Sequence, residues 1–164
     1  MELKSRDYDY STLHIRWLIR RDMPEILDIE NDVFPFAWSE DDFLAALRQR
    51  NIIGMTAELH TNAGFTVVGY MIYELHKGGI ELLNLGVGRK HWRNGIGTRM
   101  VKRVIDKLSM QRRKWLQATV RETNLPAQLL FRANKLRAVE VHRDFYEDTT
   151  ESAYRMVYTL NDHV

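Results

Sequence analysis

Residues 82–97 read Leu-Leu-Asn-Leu-Gly-Val-Gly-Arg-Lys-His-Trp-Arg-Asn-Gly-Ile-Gly, and the order of patterns in this stretch decides the fold. Leu82 to Val87 is a short apolar run of strand length. Beyond Gly97 the periodicity changes, with Met100, Val101, Val104, Ile105 and Leu108 at helical spacing and Lys and Arg opposite them. A strand, a glycine turn and a basic amphipathic helix therefore follow one another. Glycine lets a backbone come close to a ligand, and the first amides of a helix have no internal partner, so such a junction is an anion site favoured by the dipole. A pyrophosphate fits that description. No Gly-Lys-Ser or Gly-Lys-Thr follows, and neither Gly86-Val87-Gly88 nor Gly95-Ile96-Gly97 completes a dinucleotide fingerprint, which argues against nucleotide hydrolysis and hydride transfer. Taken alone, Gly95 and Gly97 also suit a plain strand-to-helix turn.

Working outward, Ile15, Trp17 and Ile19 alternate with Arg16, Leu18 and Arg20, the period of a half-buried strand after a polar tail over residues 1–12. Asp22 with Glu25 has the spacing of a capping box, with Pro24 in the first turn of a helix running to about Glu30. Ser39 caps a second helix carrying Phe43, Leu44 and Leu47 on one face. Ile53 to Leu59, a turn at Asn62-Ala63-Gly64, Phe65 to Leu75, a turn at Lys77-Gly78-Gly79 and Ile80 to Val87 form a three-strand meander. After the basic helix come a strand at Trp115 to Arg121, a helix from Pro126 to about Leu136, and strands at Val139-Glu140-Val141 and Tyr154 to Leu160. The element order is βααβββαβαββ, an α/β chain with one domain over residues 13–164.

The 164 residues are 45% hydrophobic and 28% charged, enough to fill one core. No apolar run approaches a membrane span, and the N-terminus has no signal-peptide pattern, so a soluble cytoplasmic protein without membrane binding is expected. With no cysteine, disulfides and thiolate chemistry are excluded. Net charge is only +2, but residues 22–42 carry eight acids and no Lys or Arg, whereas residues 89–114 carry ten bases against Asp106 alone. An anionic ligand near the second run and a cationic one near the first are expected. His14, His60, His76, His91, His142 and His163 show no ligand spacing, and no metal is expected. Nucleic-acid binding through the basic helix is disfavoured, because nearly half of that helix is apolar.

At Trp92-Arg93-Asn94-Gly95-Ile96-Gly97 the chain resembles the GNAT superfamily of acetyl-CoA-dependent N-acetyltransferases, whose phosphate motif is Gln or Arg, two residues, Gly, one residue, Gly or Ala. Within it, Phe36-Ala37-Trp38-Ser39-Glu40, Val120-Arg121 with Asn124, and Phe145-Tyr146 resemble the RimI-like ribosomal-protein alanine acetyltransferases. The resemblance covers about residues 13–160 and implies a mixed, mostly antiparallel central sheet with helices on both faces. It implies acetyl-CoA as cosubstrate, with Leu85, Val87, Arg93, Asn94, Gly95, Gly97, Thr98 and Asn124 at the cofactor, and Phe131 beside them. It also implies acetyl transfer to a protein N-terminal α-amino group by direct attack in a ternary complex. Phe34, Phe36 and Trp38 line the peptide entrance in that reading, or pack under the domain.

The family pattern is broken in telling places. Trp92 replaces the usual Gln or Arg, and Lys135-Leu136 replaces Gly-Phe. The family's general-base Glu falls on Thr119 and its general-acid Tyr on Phe131, neither able to do that work. A substitute base is Glu81, which alternation puts on the face of Leu83, Leu85 and Val87, at the edge of an apolar surface. The resemblance supports that position, since some GNAT enzymes carry their catalytic carboxylate or a Tyr there. A solvated Glu after a Gly-Gly turn is the plain alternative. Tyr146 matches the family's substrate-clamping tyrosine and is the candidate acid. Two other functions stay open: a degenerate acyl-CoA-binding regulator, and acetylation of a lysine or small-molecule amine.

Overall fold

The computed structural model describes residues 8–163. The strands and α-helices run β1 (His14–Trp17), α1 (Met23–Val33), α2 (Glu40–Leu47), β2 (Ile52–Thr61), β3 (Gly64–Leu75), β4 (Gly79–Val87), α3 (Ile96–Ile105), β5 (Trp115–Arg121), α4 (Leu125–Ala133), β6 (Arg137–His142) and β7 (Ala153–Thr159), the order read from the sequence. Hydrogen bonding arranges the strands as β1-β2-β3-β4-β5-β7-β6. β4 and β5 are parallel, while β1 with β2, β5 with β7 and β6 with β7 are antiparallel, so the sheet is mixed and mostly antiparallel as expected.

The chain divides into two compact units, one holding residues up to Ile72 with Asn84–Met100, the other Tyr73–Leu83 with residues from Val101 onward. In the first, Ile26, Phe43, Ala57, Leu59, Val68, Tyr70 and Met100 have no exposed surface. Burial of such side chains, worth roughly 1.5–3 kcal/mol each, is what selects the helical and strand periodicities over their alternatives. In the second unit the inner row is Ile80, Val101, Val104, Leu116 and Leu136, all 1% exposed or less.

Two local expectations change. The alternation predicted for the first strand stops at Ile15: Trp17 is 66% and Ile19 43% exposed, while Arg16 turns inward to Asp22 (2.8 Å) and Glu58 (2.9 Å), both buried. The box expected between Asp22 and Glu25 does not form. Asp22 instead accepts from Arg16, from the Ile19 amide (2.9 Å) and from the Thr56 hydroxyl (3.2 Å), and Glu25 accepts from the Val67 amide (3.1 Å). Burial pushes the Asp22 carboxyl up, but Arg16 and the Ile19 amide outweigh it and hold it below its ordinary range. Of the polar tail, residues 1–7 lie outside the described residues; Tyr10–Thr12 form a 3-10 turn, and the Tyr10 hydroxyl meets His91 Nδ1 at 3.0 Å. The Ser39 cap is as read: its hydroxyl accepts from the Asp42 amide (3.1 Å) and the Asp42 carboxylate from the Ser39 amide (2.8 Å).

Candidate active site

Between β4 and α3 the backbone does the building. The β4 ladder ends at Val87, a 3-10 turn covers Arg89–His91, and the chain then takes left-handed conformations at Arg93 (φ 64°) and Gly95 (φ 78°). A Cβ at Gly95 would meet nothing within 4 Å, so this glycine is required by its φ and not by space. Ile96 is buried and anchors the start of α3, and the first backbone bond of that helix joins the Arg99 amide to the Gly95 carbonyl (3.0 Å). The amides of Ile96 and Gly97 precede it, as an anion-binding helix start requires. Gly97 and Thr98 are half-buried there, and Arg93 and Asn94 are exposed.

Two side chains in this turn behave in ways the motif does not announce. The Asn94 amide donates to the carbonyls of His91 (3.1 Å) and Trp92 (3.0 Å), bracing the turn from within. The Trp92 indole donates to the Val87 carbonyl at 2.6 Å, with the Arg89 guanidinium 5.1 Å from its ring. Trp92 thus supports the end of β4 through its side chain, and its backbone stays in the turn. Next to it His91 is 2% exposed, and burial, helped by the charge of Lys90, pushes its imidazole down to about 4.

Beneath β4 lies a polar cluster that sequence reading counts only as part of an acidic run. Glu30 is 2% exposed and accepts from the Trp38 amide (3.0 Å), from Asn84 Nδ2 (3.1 and 3.0 Å) and from the Tyr70 hydroxyl. Gly86 makes room for it, since a Cβ there would stand 2.4 Å from the Tyr70 oxygen. Burial and the Glu30 charge hold the Tyr70 phenol far above its ordinary range, so it is a permanent donor. Trp38 and Phe43 pack edge to face, as do Phe43 and Tyr70, so the aromatic loop is stacked onto the core at Trp38, while Phe36 is 44% exposed.

In the other unit, Glu81 is half-buried on β4 and lies opposite Gln117 of β5, whose amide donates to it at 3.2 Å. Arg155 of β7 donates to Gln117 Oε1 (3.0 Å) and to Glu140 of β6 (2.9 Å), which fixes the amide's orientation toward Glu81. Thr119 is exposed and pairs in register with Arg155, and Phe131 is buried at 5% exposure inside α4. Asn124 caps α4, its Oδ1 accepting from the Ala127 amide at 3.2 Å. The half-buried Tyr146 ring lies under the Arg121 guanidinium at 3.7 Å, and Arg121 is tied to Asp148 (2.6 Å) and Glu151 (3.1 Å). Burial pushes the Tyr146 phenol up, against the opposing charge of Arg121, so it keeps its proton at neutral pH.

Comparison with known proteins gives the family. Residues 13–134 match the Acetyltransferase (GNAT) family, and the chain belongs to it. It is an acetyltransferase with acetyl-CoA as cosubstrate. Among curated proteins it is similar to the [ribosomal protein bS18]-alanine N-acetyltransferase of Escherichia coli, 24% identical over 128 residues, 78% of this chain and 83% of that one. The crystal structure of the Escherichia coli ribosomal-protein-S18-alanine N-acetyltransferase superposes with a TM-score of 0.75 at 23% identity, over 90% of this chain and 94% of that one. NAA60 of Arabidopsis thaliana in complex with acetyl-CoA superposes with a TM-score of 0.76 at 18% identity, over 92% and 99% of the two chains.

Proposed function

We propose that this enzyme acetylates the α-amino group of a protein N-terminus in the cytoplasm, with a ribosomal protein beginning in alanine as the leading acceptor. The observation that carries the reading is Glu81, a half-buried carboxylate on β4 whose partner amide is itself oriented by Arg155. The relative's action on an alanine N-terminus supports the acceptor class. An α-amine with an ordinary pKa of about 8 is mostly protonated at neutral pH and needs a base before it can attack. The amine gives its proton to Glu81, its nitrogen bonds the thioester carbonyl carbon, and the C–S bond breaks. The departing thiolate takes a proton from Tyr146, and the nitrogen, on becoming the amide, gives its second proton back to the Tyr146 phenolate, so the one proton released leaves through Glu81. In this reading the exposed turn and helix start around Leu85, Val87, Arg93, Asn94, Gly95, Gly97 and Thr98 bind the pyrophosphate and pantetheine, and Asn124 and Phe131 are the further cofactor positions that the family resemblance implies. The acidic residues Asp28, Asp32, Glu40, Asp41 and Asp42 favour a basic acceptor tail.

The test is acetyl transfer from acetyl-CoA to short basic peptides beginning in Ala or Ser, read by mass. Each is run with a free or formylated N-terminus and with or without an internal lysine. Transfer that formylation abolishes is expected, and transfer that follows the lysine alone contradicts the reading. A second reading, an acyl-CoA-binding regulator, is favoured by the exposed Thr119 and the buried Phe131. Tight acetyl-CoA binding with no transfer to any amine would establish it.

A further inference from the structure

The β3–β4 hairpin gathers three metal-ligating side chains that are scattered in sequence pattern: Glu74 near the end of β3, His76 in the turn and Glu81 on β4. One ligand atom from each lies within 4.8 Å of the others. His76 Nε2 is 3.2 Å from Glu74 Oε1 and 4.0 Å from Glu81 Oε2. Ligands about 2.1 Å from a tetrahedral zinc stand roughly 3.4 Å apart, so the observed spacings need only a small adjustment.

Nε2 is the informative atom. It is buried and makes no hydrogen bond, although it points between two carboxylates. Its contact with the Glu74 carboxylate, at 3.2 Å, lacks hydrogen-bond geometry, and an ion between the two carboxylates would take the nitrogen's lone pair directly. The imidazole is held where it is: its backbone amide donates to the Gly79 carbonyl (2.8 Å), its carbonyl accepts from Arg113 (2.8 Å), and its ring lies against Trp115. Glu81 is oriented as well, by Gln117 and through it by Arg155, the kind of outer partner that holds a ligating carboxylate.

We propose that Glu74, His76 and Glu81 bind a divalent transition-metal ion of the zinc class, and that this ion inhibits the enzyme by occupying Glu81. One imidazole and two carboxylates suit zinc, cobalt or manganese better than magnesium or calcium, which take oxygen ligands. Three protein ligands leave a fourth position to solvent. The binding claim stands on these three side chains alone, and the inhibition claim rests on Glu81 being the base.

The experiment titrates zinc into the metal-stripped full-length protein by calorimetry, with cobalt absorption as a second readout of the coordinating nitrogen. One zinc per chain is expected. His76→Ala, Glu74→Gln and Glu81→Gln should each abolish that binding, Gln117→Ala should weaken it by roughly tenfold, and His60→Ala should leave it unchanged. In wild type, zinc should stop turnover and a chelator restore it, while His76→Ala should turn over as wild type does and ignore zinc. No binding, or binding that His76→Ala leaves intact, overturns the site. Zinc that binds through His76 yet leaves turnover untouched supports the site and overturns Glu81 as the base. Circular dichroism and acetyl-CoA affinity report whether each variant is folded.

Discussion

The turn between β4 and α3 and the pair β5 and α4 both depart from the family pattern, but they are made of different material. In the turn, binding is expected from backbone amides, so Trp92 can stand where the family has Gln or Arg. Its indole finds a separate task on the Val87 carbonyl. At β5 and α4 the resemblance puts the family's base and acid on two side chains, and Thr119 and Phe131 stand at those positions. Backbone sites survive side-chain exchange and side-chain sites do not. On β7 the cation Arg155 stands in register with Thr119. The side chains hydrogen-bonded in a chain toward an acid here are Arg155 and Gln117, and the acid is Glu81.

The largest expected effect falls on the turn. Gly97→Glu puts a side chain and a negative charge at the start of α3, and acetyl-CoA binding measured by calorimetry should vanish while circular dichroism is unchanged. Retained affinity in the folded variant would mean that the anion site lies elsewhere.

The comparison sharpens at β5. Thr119→Glu with Phe131→Tyr restores the family residues, yet the new carboxylate would face Arg155, which favours its ionised form and weakens it as a base. That double variant should show no gain in kcat on Ala-initiated peptides. Adding Arg155→Leu should release the base and raise kcat by roughly 10²-fold. A gain of that size in the double variant alone would show that β5 was only worn and not rebuilt.

The smallest effect is on stability. The folded-state pKa of His91 is about 4 against 6.5 for the free side chain, so the unfolded chain takes up its proton first as pH falls. Stability from this residue is present above about pH 6.5 and is lost between there and about pH 4, amounting to about 2 kcal/mol at pH 5. Chemical denaturation at pH 7 and pH 5 measures it, and His91→Phe should flatten the difference. An equal difference in the variant would place the titration elsewhere.

Periodicity and turn chemistry were enough to read the eleven strands and helices in order. The Ser39 cap and the turn at Gly95 were legible because the residue type itself dictates the geometry. Charged residues misled. Glu30 and Asp22 counted toward an acidic run, yet both are 2% exposed, because Tyr70 and Asn84 reach Glu30, and Thr56 reaches Asp22, from strands distant in sequence, while Arg16 joins Asp22 from nearby β1. Lys135, where the family has glycine, occupies a left-handed conformation (φ 68°) after α4, so composition alone would not have found that turn. Glu74, His76 and Glu81 have no ligand spacing in the chain, since a hairpin and not a helix brings them together.

The proposal that Glu81 on β4 is the base is tested most directly by Glu81→Gln, assayed in metal-free buffer on an Ala-initiated peptide. The substitution keeps shape and hydrogen bonding but removes the proton acceptor, so kcat should fall by roughly 10²-fold or more. Acetyl-CoA affinity should hold, since the anion site is built of other groups. Turnover within about threefold of wild type would contradict the account, because general-base catalysis is typically worth at least 10²-fold.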